Sequence, residues 1–310
     1  MTDDLRQEIL YWRFIDHWSG CFSWRNEKHL QITVASDASK FKWGALVDVK
    51  GQQIVCADYW RNEDDRPIHV KEAQALFNAL CSVKDVVKNH RVDAYVDNLA
   101  CVYGWESMSG KDPALNRIMK SLWNFSVDNN MDLHLLYVKS EDKPADCHSR
   151  RLSALDCMLT REKFETIEKR FGPHSVDLMS LDSNCMISQV NGKPLRHLTP
   201  YPTPLSAGVN VFSQDITLEK NPYVFPPFRL ILPLIVYLKN QGVEACTMVI
   251  PKLLPIPVWW PLVSQYAMER FVLGKKGERG VLLFPSKSGF SEAKHGLLYD
   301  LIVVRLVLSK

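Results

Sequence analysis

Long apolar runs are missing from this 310-residue sequence. The longest, residues 230–238, is bounded by Arg229 and Lys239 and broken by Pro233, whereas a helix that spans a bilayer needs about 20 apolar residues. No membrane segment is expected. The first residues, Met1-Thr2-Asp3-Asp4, are acidic and lead into no apolar h-region, so no secretory signal is expected either. Paired cysteines are also missing. The eight cysteines (Cys21, Cys56, Cys81, Cys101, Cys147, Cys157, Cys185 and Cys246) form no C-x-x-C pair and no Cys/His cluster at zinc spacing. They read as scattered thiols of a reducing compartment, cytoplasmic or nuclear, rather than as a disulfide framework. The chain has no G-x-x-x-x-G-K-[ST], no H-E-x-x-H and no G-x-S-x-G, which removes the P-loop, zincin and hydrolase-elbow chemistries. Neither charge dominates: 38 Lys and Arg stand against 35 Asp and Glu, a net +3. That balance is compatible with a nucleic-acid partner without arguing for one.

What is present is a globular balance, 46% hydrophobic and 24% charged, enough for a sizeable core. At roughly 100–200 residues per domain, the length suggests two domains. Residues 1–29 carry a helical pattern through Leu5, Ile9, Trp12, Phe14 and Trp18, stopped by Gly20, and read as a helical connection. Trp12, Trp18 and Trp24 are expected to pack against the next domain. Strands and helices then alternate. Residues 30–36 read as a strand ending at Asp37, 43–49 as a second, and 53–59 as a third after a Lys50-Gly51 turn. Residues 68–88 read as a helix with Ala73, Leu76, Phe77, Leu80, Val83 and Val87 on one face. A strand over 92–96 ends at Asp97, helices follow over 98–108 and 113–129, then a strand over 133–138 and a short helix over 144–150. The order β-β-β-α-β-α-α-β-α gives an α/β domain over 30–152, a five-stranded mixed sheet flanked by helices. After Arg151 the texture changes. A smaller α/β unit is expected over 153–270, with a long stretch rich in Pro, Asn and Ser at 191–227. A C-terminal tail is expected over 271–310, opening on Lys275-Lys276-Gly277-Glu278-Arg279.

Four carboxylates stand at element ends. Asp37 closes the first strand, Glu72 sits in the first turns of the first long helix, Asp97 closes the fourth strand and Asp146 opens the last short helix. In open α/β sheets ligands gather outside the carboxyl ends of strands. Each acid alone has a plain reading: a turn residue, a solvated helix position, a helix cap. Together they suggest a cation site, because clustered carboxylates repel and raise one another's pKa unless a cation neutralises them. Oxygen ligands suit Mg²⁺ or Mn²⁺. Two such ions about 3.5–4 Å apart can clamp the attacking and leaving oxygens of a phosphodiester displacement.

The segments Ser36-Asp37-Ala38-Ser39, Trp43-Gly44-Ala45, Lys71-Glu72-Ala73-Gln74-Ala75-Leu76, Val96-Asp97-Asn98 and Ala145-Asp146-Cys147-His148-Ser149-Arg150 resemble the ribonuclease H domain of retroelement reverse transcriptases. More narrowly, they resemble the DIRS-type elements that use a tyrosine recombinase. The last segment matches the A-D-x-x-S-R ending common in such domains. The resemblance implies that Asp37, Glu72, Asp97 and Asp146 bind two Mg²⁺ or Mn²⁺ ions and cut the RNA strand of an RNA–DNA hybrid. Ser39, Asn98 and His148 are its candidate substrate contacts, with a surface or capping role as the plainer reading of His148. Residues 176–179, Asn184, 223–228 and Trp259-Trp260 resemble the region that follows this domain in DIRS-type polyproteins, so the likeness extends over roughly 5–270. Two features depart from the family: Asp142 stands where Asn is usual, and residues 138–141 lack the usual Gly-containing turn, with no His in that loop.

Tyr95-Val96-Asp97-Asn98 mimics a polymerase Y-x-D-D hairpin, but it lacks the second Asp and precedes a helix. No polymerase site is expected, and the chain reads as part or remnant of a larger polyprotein. Phe225-Pro226-Pro227-Phe228 resembles the [DN]-P-P-[YF] element of adenine-N6 DNA methyltransferases. Phe replaces the polar first residue and no G-x-G loop is visible, so a proline turn in a degenerate methyltransferase-like unit is the reading. Lys40, Lys42, Arg61, Arg66, Lys71, Arg150 and Arg151 flank the acids, and a minority are expected to contact phosphates of the hybrid.

Overall fold

The computed structural model describes residues 2–13, 31–62, 64–107, 110–139 and 144–309. Residues up to 30 form one compact unit and those from Gln31 onward another. In the first, α1 (Asp3–Trp12) is capped by Thr2, whose hydroxyl accepts from the Leu5 N–H at 3.4 Å. No residue of α1 is buried, and Trp12 is half exposed. Phe14, Trp18, Gly20 and Trp24 lie outside the described residues.

The second unit begins with β1 (Gln31–Ala38), β2 (Lys42–Val49) and β3 (Gln52–Tyr59), an antiparallel meander. Lys50 and Gly51 supply the tight β2–β3 turn, both at positive φ. Next come α2 (Ile68–Ser82), α3 (Lys84–Val87), β4 (Arg91–Val96), α4 (Leu99–Ser107), α5 (Pro113–Asp128), β5 (Asp132–Tyr137) and α6 (Asp146–Arg150). β4 lies parallel to β1, and β5 parallel to β4. The result is a five-stranded mixed sheet of order β3-β2-β1-β4-β5 with flanking helices, as the element pattern implied. Ile32, Val34, Trp43, Ala45 and Val47 on one face of the β1–β2 ribbon bury against Val70, Ala73, Leu76 and Leu80 of α2. Asp112 caps α5 by accepting from the Ala114 N–H at 2.8 Å, and Pro113 occupies the first helical position.

Beyond Arg151 the chain forms β6 (Met158–Leu159), α7 (Arg161–Phe171), β7 (Val176–Asp177), β8 (Arg196–His197), β9 (Pro222–Val224), α8 (Ile231–Asn240), β10 (Ala245–Lys252), α9 (Trp260–Tyr266), β11 (Ala267–Gly274), β12 (Leu282–Ser286), β13 (Gly289–Glu292) and β14 (Asp300–Val307). A six-stranded sheet runs β11-β14-β10-β9-β7-β8, and a three-stranded one β13-β12-β6. This corrects the expected tail over 271–310. β14 is an interior strand, antiparallel to both β10 and β11. Leu301, Val303, Val304 and Leu306 are fully buried, so the strand shows an apolar run over Leu301–Val304 and no clear alternation. The basic stretch at 275–279 is the connection out of β11. Residues 225–228, the Phe-Pro-Pro-Phe element, leave the carboxyl end of β9 and lead into α8. A cavity of about 290 Å³ opens beside them, lined by Asp177, Met179, Leu198, Phe212, Phe225 and Pro227 among others.

Candidate active site

Three of the four acids converge. The β1–β4 register runs from Ile32↔Val92 to Ala35↔Tyr95, so two residues further on Asp37 and Asp97 stand level at the carboxyl ends of adjacent parallel strands. α2 crosses this edge with Glu72 near its start, and Glu72 Oε1 accepts the Ala38 N–H at 3.2 Å. Carboxylate oxygens of Asp37, Glu72 and Asp97 all lie within 4.8 Å of one another. Asp37 is 3% exposed and Glu72 6%. Burying carboxylates this close together is costly unless a cation balances them. An all-oxygen, all-anionic donor set fits a hard divalent ion of the Mg²⁺ or Mn²⁺ kind.

Asp146 is not in that group. It opens α6, and its carboxylate pairs with Arg150 at 2.6 Å in a partly solvated position. α6 itself is nevertheless docked at the site. The register pairs Asp37 with Gly44, so the two share a face of the ribbon. A Cβ on Gly44 would lie 2.6 Å from the His148 carbonyl carbon, 2.7 Å from His148 Cβ and 2.7 Å from the Ser149 nitrogen. Only glycine lets the α6 backbone come so close. Ser149, buried completely, then donates its hydroxyl to Asp37 Oδ2.

The candidate substrate contacts have local partners. The Ser39 hydroxyl lies 2.8 Å from the Ser149 carbonyl and 3.1 Å from that of Lys42, and accepts the Lys42 N–H at 3.0 Å. Asn98 Oδ1 accepts the Ala100 N–H at 2.9 Å, as an Asx turn at the start of α4 does. His148 is half-buried, and desolvation lowers its pKa, helped by the nearby Lys42 and Arg151 charges. Asp142 and residues 140–143 generally lie outside the described residues.

Among the solved structures this chain resembles are ribonucleases H. The ribonuclease H1 of the archaeon Halobacterium salinarum NRC-1 matches with 13% identity over 38% of this chain and 92% of that one, at a TM-score of 0.33. LC11-RNase H1, solved with an RNA/DNA hybrid, matches with 17% identity over the same shares and the same TM-score. A foamy viral protease-reverse transcriptase solved with dsDNA matches with 12% identity over 45% of this chain and 26% of that one, at 0.28. No protein-family profile and no curated protein matches the sequence.

Around the five-stranded sheet, two of the candidate phosphate contacts are buried instead. Lys71 is 4% exposed and donates its ammonium to the Lys40 and Asp64 carbonyls at 2.9 and 2.8 Å. Lys42 is 5% exposed and donates to the Arg151 carbonyl at 2.9 Å. Burial lowers the pKa of both. Arg66 is bound to Asp64 at 2.6 Å and to Gln74 at 3.0 Å, while Lys40, Arg61 and Arg151 remain exposed. Gly44 and Ser149, to which the sequence motifs give no role, sit at the centre of the α6 joint. Their signal was in the motifs themselves, a small residue opposite an acid and a hydroxyl three positions after another.

No described helix is long and apolar enough to cross a membrane.

Proposed function

We propose that this chain is a retroelement-derived ribonuclease H of the DIRS type, a divalent-metal-dependent endonuclease that hydrolyses the RNA strand of RNA–DNA hybrids. The observation that carries the reading is the convergence of Asp37, Glu72 and Asp97 within 4.8 Å. These three carboxylates would hold two Mg²⁺ or Mn²⁺ ions, with Asp146 recruited from its solvated pair with Arg150. Such exposed pairs cost roughly 0–1 kcal/mol to open. Divalent ions bound there supply activation of the attacking water and charge neutralisation at the leaving 3′ oxygen. Asp37 and Asp97 are fixed by paired strands and Glu72 by a buried helix, so they hold position without loop ordering. His148, whose pKa burial and the nearby Lys42 and Arg151 charges lower, is the proton-shuttling candidate on α6. Lys40, Arg61 and Arg151 are the exposed cations on offer to hybrid phosphates.

The test is cleavage of a labelled hybrid with Mg²⁺, Mn²⁺ or chelator, comparing wild type with Asp97→Asn. Metal-dependent cutting that the variant loses supports the nuclease and its site together. The Asp146–Arg150 pair favours a second reading, a catalytically silent nucleic-acid-binding remnant. A folded wild type that binds hybrid but cuts it with neither metal would establish that reading instead.

A further inference from the structure

We infer that Ser149 is a positioning residue of the metal site: its hydroxyl fixes the orientation of the Asp37 carboxylate, and Gly44 is the gap that brings it there. The inference rests on the metal-site reading above and adds a residue to it.

The case is geometric. A carboxylate turns about a broad, weakly restricted final torsion, so its oxygens are not fixed by the backbone alone. Here Ser149 Oγ–H is donated to Asp37 Oδ2 inside a fully buried contact. A hydroxyl has a single proton. The other acceptor within reach, the Asp146 carbonyl at 3.0 Å, is neutral, so the charged oxygen is the stronger partner. The serine is itself held. Its carbonyl accepts the Ser39 hydroxyl at 2.8 Å, and the Arg151 carbonyl accepts the Lys42 ammonium at 2.9 Å. Those carbonyls end a five-residue helix that would otherwise leave them orphaned. The β1–β2 hairpin therefore grips α6 at two carbonyls, and α6 returns one hydroxyl to the hairpin's acid. Groups that orient metal-binding side chains in this way are worth about 10–100-fold in metal affinity.

The measurement is Mn²⁺ binding to the full chain, by electron paramagnetic resonance or calorimetry, with thermal melting alongside. Ser149→Ala is expected to weaken Mn²⁺ binding about tenfold while remaining folded. Should that variant fail to fold, Ser149→Cys keeps the side-chain size and replaces the hydroxyl by a weak donor, and the same weakening is expected. A folded variant with a lowered melting temperature and wild-type Mn²⁺ affinity would assign Ser149 to packing alone and overturn the inference. Wild-type protein that binds no Mn²⁺ would instead remove the metal site itself, and the inference with it.

Discussion

Gly44→Ala places the heaviest demand on this arrangement. The added Cβ would meet three backbone-proximal atoms of α6 at 2.6–2.7 Å, none of them the free end of a flexible side chain. Ordinary carbon contacts are about 3.5–4.0 Å, so α6 must withdraw from β2 by about 1 Å. Overpacking of this kind costs about 1–3 kcal/mol, visible as a melting temperature lower by several degrees. The larger effect falls on the site. An O–H···O bond spans about 2.5–3.0 Å, so a withdrawal of ~1 Å detaches Ser149 from Asp37 and carries Asp146 away with it. A misplacement of ~1 Å can cost about 100-fold in rate. The expected result is a folded protein whose Mn²⁺ midpoint rises at least as far as in Ser149→Ala and whose hybrid cleavage falls by about two orders of magnitude. A folded variant with wild-type metal affinity and cleavage would refute the reasoning, because it would mean that the distance between α6 and β2 does not control the site.

Other variants separate the remaining roles. Asp37→Asn should abolish cleavage and slightly raise metal-free thermal stability by relieving carboxylate repulsion; unchanged cleavage would remove Asp37 from the metal set. Lys71→Met should lower stability by about 1–3 kcal/mol, since it leaves two carbonyls without their buried donor, yet leave the salt dependence of hybrid binding unaltered. Arg151→Ala should instead reduce that salt slope by about 1; filter binding from low to high salt compares the two. Asp58 is fully buried at the end of β3, and desolvation pushes its carboxyl up to about 7 from 3.8. A carboxyl raised on folding stabilises below its unfolded pKa and loses that contribution as pH rises through the folded value. Stability should therefore fall between about pH 4 and 7, with ~4 kcal/mol as the upper limit from this group. Denaturant melts of Asp58→Asn across that window should be flatter than wild type, and a parallel dependence would show that Asp58 is not the source.

The sheet was legible because its signals are local. Each strand of the β1–β3 meander alternates or ends in a turn residue, and β1 and β4 each carry an acid at or just past their carboxyl end. The convergence of Asp37, Glu72 and Asp97 follows from that order, since parallel neighbours bring their carboxyl ends together. The buried lysines were illegible for the opposite reason. Lys42 and Lys71 look like surface cations in sequence, and only carbonyls from distant segments reveal them as internal donors. β14 is hard to read because a strand buried on both faces carries no period, and its partners β11 and β10 are separated from it by two and three further strands. Asp146 lies between these cases: its helix is placed at the site, but the direction of its side chain depends on Arg150, one turn away.

The short α6 also explains why the chain after residue 150 bears on the cluster of acids. A five-residue helix has too few hydrogen bonds to hold itself, so its position is imposed by what surrounds it. On one side stands the β1–β2 hairpin, through Gly44, Ser39 and Lys42. On the other, the backbone leaving α6 is tied to the end of β3. Tyr59 Oη accepts the Ser153 N–H at 3.2 Å and donates to Asp156 at 2.7 Å. That strand end is held in turn by later segments: Ser183 donates its N–H to Asp58 at 3.0 Å, and Asn62 exchanges two hydrogen bonds with the Phe290 backbone at 2.8 and 3.1 Å. The change in sequence texture at Arg151 is therefore not a mechanical boundary. The segment that delivers Ser149 to Asp37 is clamped between the first sheet and residues far beyond it. Loosening the contacts of Asp58 or Asn62 should reach the proposed metal site through Tyr59 and α6, without any change to a carboxylate that would hold the ion.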